Sequence, residues 1–308
     1  MKRIIISSLA IYALIAIVLF VSIKKSNKDI SILAFSKNYS RLMTESETLA
    51  IPLYLSEDNS FLTEKTNITN LTICDDYNEI AATIKSIEQE DVKSQFQGKE
   101  YYTFIFEISF DWPNLANLQF ELNDAKMNIF YMNGEEFNFS IGNLYLSFMD
   151  INQSNFLDLV NLSGIVNEIE NEKYLVALNL RFMNLSNHEI KINQISTNTD
   201  KLKLDLGNLL EKQSTYEANV DFKEVIADYD HLGSADEAAY VLNDDFYLVI
   251  PLLYEGNFIK INRFPLFIEY EYNNEVQILI IDDFLFFNER INLDNYADEI
   301  TEYLYIYP

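Results

Sequence analysis

The spacing of apolar positions changes character once along this chain, near Lys24. From Ile4 to Ile23 the run IIISSLAIYALIAIVLFVSI leaves no polar face, with Lys2 and Arg3 before it and Lys24, Lys25 and Lys28 after it. About twenty helical residues at 1.5 Å rise cover roughly 30 Å, the thickness of a bilayer's hydrocarbon core, so the run predicts one membrane span. It exceeds the roughly 7–15 apolar residues of a cleavable signal and ends in Ser22-Ile23-Lys24-Lys25, not in an A-x-A-like site. An uncleaved anchor over 1–29 is therefore expected.

Beyond the anchor the apolar period falls to two, the period of half-buried strands. KMNIFYM and EEFNFSI flank Asn133-Gly134, and FIEYEY and EVQILII flank Asn273-Asn274, which predicts two hairpins. A longer order recurs around them. Tyr102–Phe110 precedes the first hairpin as Phe246–Tyr254 precedes the second, and Ile-Pro-Leu occurs at both 51–53 and 250–252. A proline within a strand predicts a sheet edge or a bulge there. Helical spacing is read in three places: Phe156, Leu159, Val160 and Ile169 within 154–171; Ile80, Ile84 and Ile87 within 77–89; and 235–242, behind the capping-box pattern Ser234-Ala-Asp-Glu237.

These readings divide the chain into an anchor at 1–29, a first β-sandwich-like domain at 30–150, a linker with helical spacing at 151–171, and a second such domain at 172–308 that ends in an alternating strand. The expected class is mainly β: an N-terminal transmembrane helix, then two tandem antiparallel β-sandwich-like domains with a few short helices.

Charge narrows the partners. The chain carries 22 Lys+Arg against 48 Asp+Glu, a net charge of −26. A body this acidic repels phosphate backbones, which excludes nucleic acid, and favours cations and basic partners. With Cys74 as its single cysteine the chain has no intramolecular disulfide, so its cores must hold it together unaided. Seven glycines leave asparagine to make many of the turns.

Catalytic signatures are sparse. His188 and His231 are the two histidines, and the sequence has no H-E-x-x-H, G-x-S-x-G or glycine-rich phosphate loop. His188, in Asn187-His188-Glu189, reads as a turn residue. The best candidate for metal chemistry is the acidic stretch in which Asp228 and Asp230, two apart in a loop, present oxygens to Ca²⁺ with Asp236 or Glu237 completing the shell. It is not an EF-hand, because Leu232 and Ala239 occupy positions where that loop needs ligands.

The function expected from this reading is non-catalytic binding or assembly at the cell surface. The protein would sit in the plasma membrane through its N-terminal helix, with an extracytoplasmic body and a protein partner in the envelope. The flanking basic residues nearly balance and lean slightly towards a cytoplasmic body, whereas the extreme N-terminal position of the span and the strand-rich body favour the opposite side. Two alternatives are a membrane-tethered, metal-dependent enzyme using loop 228–237 and a cytoplasm-facing accessory subunit of a transporter.

Overall fold

The protein is seen here in a computed structural model that describes residues 29–58, 60–111, 118–149, 156–169, 172–186, 188–208, 210–212, 240–242, 246–254, 263–285 and 293–305. The expected span over 4–23 lies outside the described residues, and among those described no helix is long and apolar enough to cross a membrane.

The chain is mainly β, with several sheets and few helices. The first strands are β1 (Ile30–Phe35), β2 (Lys37–Met43), β3 (Leu49–Leu55), β4 (Ile68–Cys74), β5 (Glu79–Gln89), β6 (Ser94–Phe96), β7 (Lys99–Phe110), β8 (Gln119–Tyr131) and β9 (Glu136–Phe148). There follow β10 (Leu157–Ile169), β11 (Glu172–Asn184), β12 (Ile190–Ser196), β13 (Leu202–Leu204), β14 (Leu210–Lys212), β15 (Tyr240–Leu242), β16 (Phe246–Tyr254), β17 (Arg263–Tyr272), β18 (Glu275–Leu285) and β19 (Ile300–Tyr305).

The first sheet runs β19-β1-β3-β7-β5-β4-β8-β9-β2, with β6 also on β7. Only Ser36 separates β1 from β2, yet the two strands lie near opposite ends of this order, so the sheet curls until its ends meet. A second corner lies in β5, whose Glu79–Ala82 half pairs with β4 while its Ala82–Gln89 half pairs with β7. The curl encloses one core that includes Leu53, Ile73, Phe106, Met127, Phe139 and Leu144. Each large apolar side chain so buried contributes about 1.5–3 kcal/mol relative to exposure. Tyr303 and Tyr305 of β19 close one end of this core, at 5.0 Å from the Phe139 ring and 5.8 Å from the Phe137 ring.

A second core lies between two further sheets, β10-β11-β16-β13 with β14 also on β16, and β15-β12-β17-β18. Every pairing in these two sheets is antiparallel. In the second unit β16 joins one sheet and the β17–β18 hairpin the other, whereas β7 and the β8–β9 hairpin of the first unit belong to a single sheet.

Both hairpins form where the Asn pairs predict them, by different turns. Asn273 and Asn274 have φ of +53° and +64°, a two-residue turn whose twist matches that of the flanking strands. At the other hairpin Gly134 alone is positive, at +87°, and its N–H donates to the Tyr131 carbonyl at 3.0 Å, giving a three-residue loop.

Four expectations need correction. Residues 157–169 form β10, not a linking helix, and its Leu157, Leu159 and Leu162 pack into the second core. Residues 79–89 form β5. Of the helix expected at 235–242, Tyr240–Leu242 is β15 and the remainder lies outside the described residues. The C-terminal strand, assigned from sequence to the second unit, pairs with β1 of the first sheet from Ile30↔Tyr305 to Phe35↔Ile300.

Both prolines lie in interior strands, and each sits where a neighbouring ladder stops. The pairing of β1 with β3 ends at Leu53, one residue short of Pro52. Pro251 falls between β13, which pairs with Leu252–Tyr254, and β14, which pairs with Tyr247–Val249. Its carbonyl accepts from the Asp205 N–H at 2.9 Å, so its missing N–H faces the gap between those two strands.

Candidate functional site

The two cores meet at β2. This strand pairs in parallel with β9 from Lys37↔Gly142 to Met43↔Phe148, and β17 and β18 of the second unit pack against it. Gly142 makes the parallel pairing possible. Its φ is +93°, and a Cβ there would press on the backbone of Lys37. Lys37 itself lies with its Nζ 5.0 Å from the centre of the Phe35 ring, and burial of the ammonium group draws its pKa down to about 8 while Glu90 pulls it upward.

Alternation along β2 and β9 sends Met43, Leu144, Leu146 and Phe148 into the first core and leaves Ser40, Leu42, Tyr145 and Ser147 outside it. Those four are nonetheless almost fully buried, with Ser40, Leu42, Tyr145 and Ser147 each at 1% exposure, because the second unit covers them. The connection from β12 to β13 supplies the contact. Asn198 donates from Nδ2 to the carbonyls of Arg41 at 3.0 Å and Tyr145 at 2.5 Å, and its Oδ1 accepts from the Ser40 hydroxyl.

This connection is stiffened by its own hydroxyls. Thr197 Oγ1 donates towards the carbonyls of Thr199 and Leu202, at 2.9 and 3.0 Å, and Thr199 Oγ1 accepts from the Lys201 N–H at 3.1 Å. Short polar side chains that bond local backbone in this way hold a turn without help from a core. Asn198 therefore arrives at the joint already oriented.

Beside the joint runs an open groove of about 580 Å³. Gln119 and Glu121 of β8 form one wall, and Asn193, Gln194, Asp200 and Lys203 are on the other. Cross-strand pairing sets Gln119 next to Ser147 and Glu121 next to Tyr145, so the groove follows the seam between the cores. The Ser147 hydroxyl is buried there with no hydrogen-bond partner among the described residues. Amides, hydroxyls, two carboxylates and one ammonium suit the lining to holding a polar ligand by hydrogen bonds.

Asp228, Asp230, Asp236 and Glu237, the residues expected to hold Ca²⁺, lie outside the described residues. Among those described, no three His, Cys, Asp or Glu side chains come together as a metal site would require. His188 is exposed in a turn. Its carbonyl accepts from Asn184 Nδ2 at 2.8 Å and from the Ser186 hydroxyl at 2.9 Å. Cys74 is half-buried, with Sγ accepting from Asn128 Nδ2 at 3.3 Å. Asp75 closes a turn: partial burial raises its pKa, but the N–H groups of Tyr77, Asn78 and Asn123 outweigh this and hold the carboxyl below its ordinary range.

Asn198 escaped the sequence reading. Ser196-Thr-Asn-Thr-Asp200 reads as a polar turn between strands, and nothing in the sequence marks its middle residue as the contact between units.

No protein-family model matches the chain, and no curated protein matches its sequence. Among solved structures it can be laid over the D00-D0 domain of intimin at a TM-score of 0.19 and 8% identity, covering 84% of this chain and all of that one. A likeness that loose adds nothing to the description above.

Proposed function

We propose that the chain is a non-catalytic binding or assembly module, built as two tandem β-sandwich-like units and held at the plasma membrane by its N-terminal helix, with the acidic body outside the cytoplasm. The observation that carries this reading is the joint. A purely structural tether needs no fixed angle between its units, whereas Asn198 ties them together through three hydrogen bonds and leaves a polar groove along the seam. Clefts between units are favoured binding places. The net charge of −26 steers basic partners towards the body.

The test has two arms, both on the full chain in intact cells. Protease added outside, with any outer envelope permeabilised, should remove the body while intact-mass measurement of the untreated protein still finds residues 1–28. Photo-crosslinkers placed singly at Lys203 in the groove and at Ser163 on β10 should give discrete adducts, and one at the exposed control Tyr77 should not. Protection of the body until lysis moves it to the cytoplasmic side. Identical labelling at all three positions removes the binding reading.

A further inference from the structure

The sheets end in strands of unequal protection. An open strand edge presents unpaired N–H and C=O groups to any passing chain, and proteins blunt such edges with charge, proline, brevity or cover. β2 is covered by β17 and β18. β13 and β15 have three residues each. β18 has six uncharged residues between Glu275 and Asp282, against nine between the charges of β10, and it also packs against β2. The six-residue β19 carries Glu302, whose carboxylate accepts from the Ser31 hydroxyl at 2.5 Å.

Among the described residues, β10 has none of these protections over most of its length. It runs for thirteen residues and, among the described residues, pairs on one side alone, with β11. Its charged residues are Asp158 and Glu168, near its two ends, and it contains no proline. Two register shifts mark the β10–β11 ladder, but they differ in effect. At the first, Val160 is the extra residue and interrupts β10. At the second, Val176 of β11 is extra, so β10 stays regular from Asn161 to Ile169. Val160 and Val166 stand 41% and 42% exposed along it.

The geometry points to Asn161–Ile169 as a strand-addition site, where an extended segment of a partner protein, flanked by lysine or arginine, pairs along the outer edge of β10. This rests on the binding reading above and gives it a surface and a partner chemistry. Backbone hydrogen bonds supply the attachment in such modes, and alternate side chains supply the selectivity. Charge decides the occupant. A second copy would bring two bodies of net charge −26 together, and the antiparallel self-pairing centred on Ser163 sets Asp158 opposite Glu168. A basic-flanked strand meets attraction instead.

The experiment uses the purified full chain and a fluorescent ten-residue peptide of alternating threonine and valine with a lysine at each end. Anisotropy should show saturable binding, and amide exchange should slow in β10 when the peptide is added. N-methylation of alternate peptide nitrogens should abolish binding on one of the peptide's two edges and spare it on the other. Ser163→Lys should weaken binding at least tenfold, while Tyr77→Lys, which adds the same charge at the exposed turn between β4 and β5, leaves it unchanged. Equal binding by both N-methylated peptides would mean that charge alone holds the peptide, and would overturn the proposal. So would no binding, a dimer paired through β10, or β10 amides already slow to exchange on both sides in the free protein. If the proposal falls while groove crosslinks persist, the binding reading stands; if the crosslinks vanish too, both fall.

Discussion

Gly142→Ala isolates the contact on which the joint depends. A Cβ at this position would stand 2.5 Å from the Lys37 nitrogen and 2.9 Å from its carbonyl carbon, with the carbonyl oxygen nearer still. These are backbone atoms and cannot rotate aside. The residue also holds φ at +93°, where a side chain adds roughly 1–3 kcal/mol of strain. Forcing the two backbones apart costs about 1–3 kcal/mol more by analogy with overpacked cores. The sum, about 2–6 kcal/mol, is a large share of the ~5–15 kcal/mol that stabilises an ordinary domain.

The matched control is Gly134→Ala, at φ of +87° with nothing within 4 Å of the added carbon, which carries the strain without the collision. Thermal unfolding of the purified full chain should fall by roughly 5–20 °C for Gly142→Ala and by only a few degrees for Gly134→Ala. Amide exchange should also quicken across β2, since its pairing with β9 is what the methyl group disrupts. Equal losses from the two variants would refute the argument, because the close approach to Lys37 would then contribute nothing.

Three further outcomes are expected. Lys37 titrates in the folded chain at about 8 against an ordinary 10.5, so between those values the unfolded chain binds more protons. Stability should therefore rise from pH 8 to just below 10 and then turn down as Tyr39, Tyr54 and Tyr131, which burial holds protonated, begin to ionise in the unfolded chain; Lys37→Met should remove the rise in denaturant melts against pH. Asn198→Asp replaces the donor needed by the carbonyls of Arg41 and Tyr145 and should cost about 1–3 kcal/mol, with calorimetry resolving two transitions; a wild-type melt would mean that the joint is incidental. If the acidic loop binds Ca²⁺, Asp228→Asn with Asp230→Asn should cancel a Ca²⁺-dependent gain of about 2.7 kcal/mol at a hundredfold excess over Kd; identical melts in Ca²⁺, Mg²⁺ and chelator at matched ionic strength would dismiss the site.

Period-two alternation was enough to read the mainly β character and both hairpins from the sequence. The two mistaken helices share a physical cause. In β5 the extra residue Lys85 shifts the phase, so inward-facing Ile84 and Ile87 stand three apart, and with Ile80 they mimic a helical stripe. In β10 the extra residue Val160 stands beside inward-facing Leu159, and with Phe156 three residues earlier the adjacent pair reads as a helical face. A single bulge thus turns a strand's spacing into a helix's, and only the partner strand reveals it. The joint was illegible for a different reason. Asn198 acts through carbonyls of residues 41 and 145, and backbone acceptors leave no mark in a sequence. Likewise, nothing local to β19 states that its partner is β1.

That pairing sets a timetable for synthesis. Chains grow at about 5–20 residues per second, so β1 emerges roughly 15–55 seconds before the strand that covers its outer edge. Throughout that interval Ile30–Phe35 offers an apolar ribbon with one side bare, while all of the second unit is made. Nascent copies on one messenger are most exposed to mispairing in that window. The strand that ends it is β19.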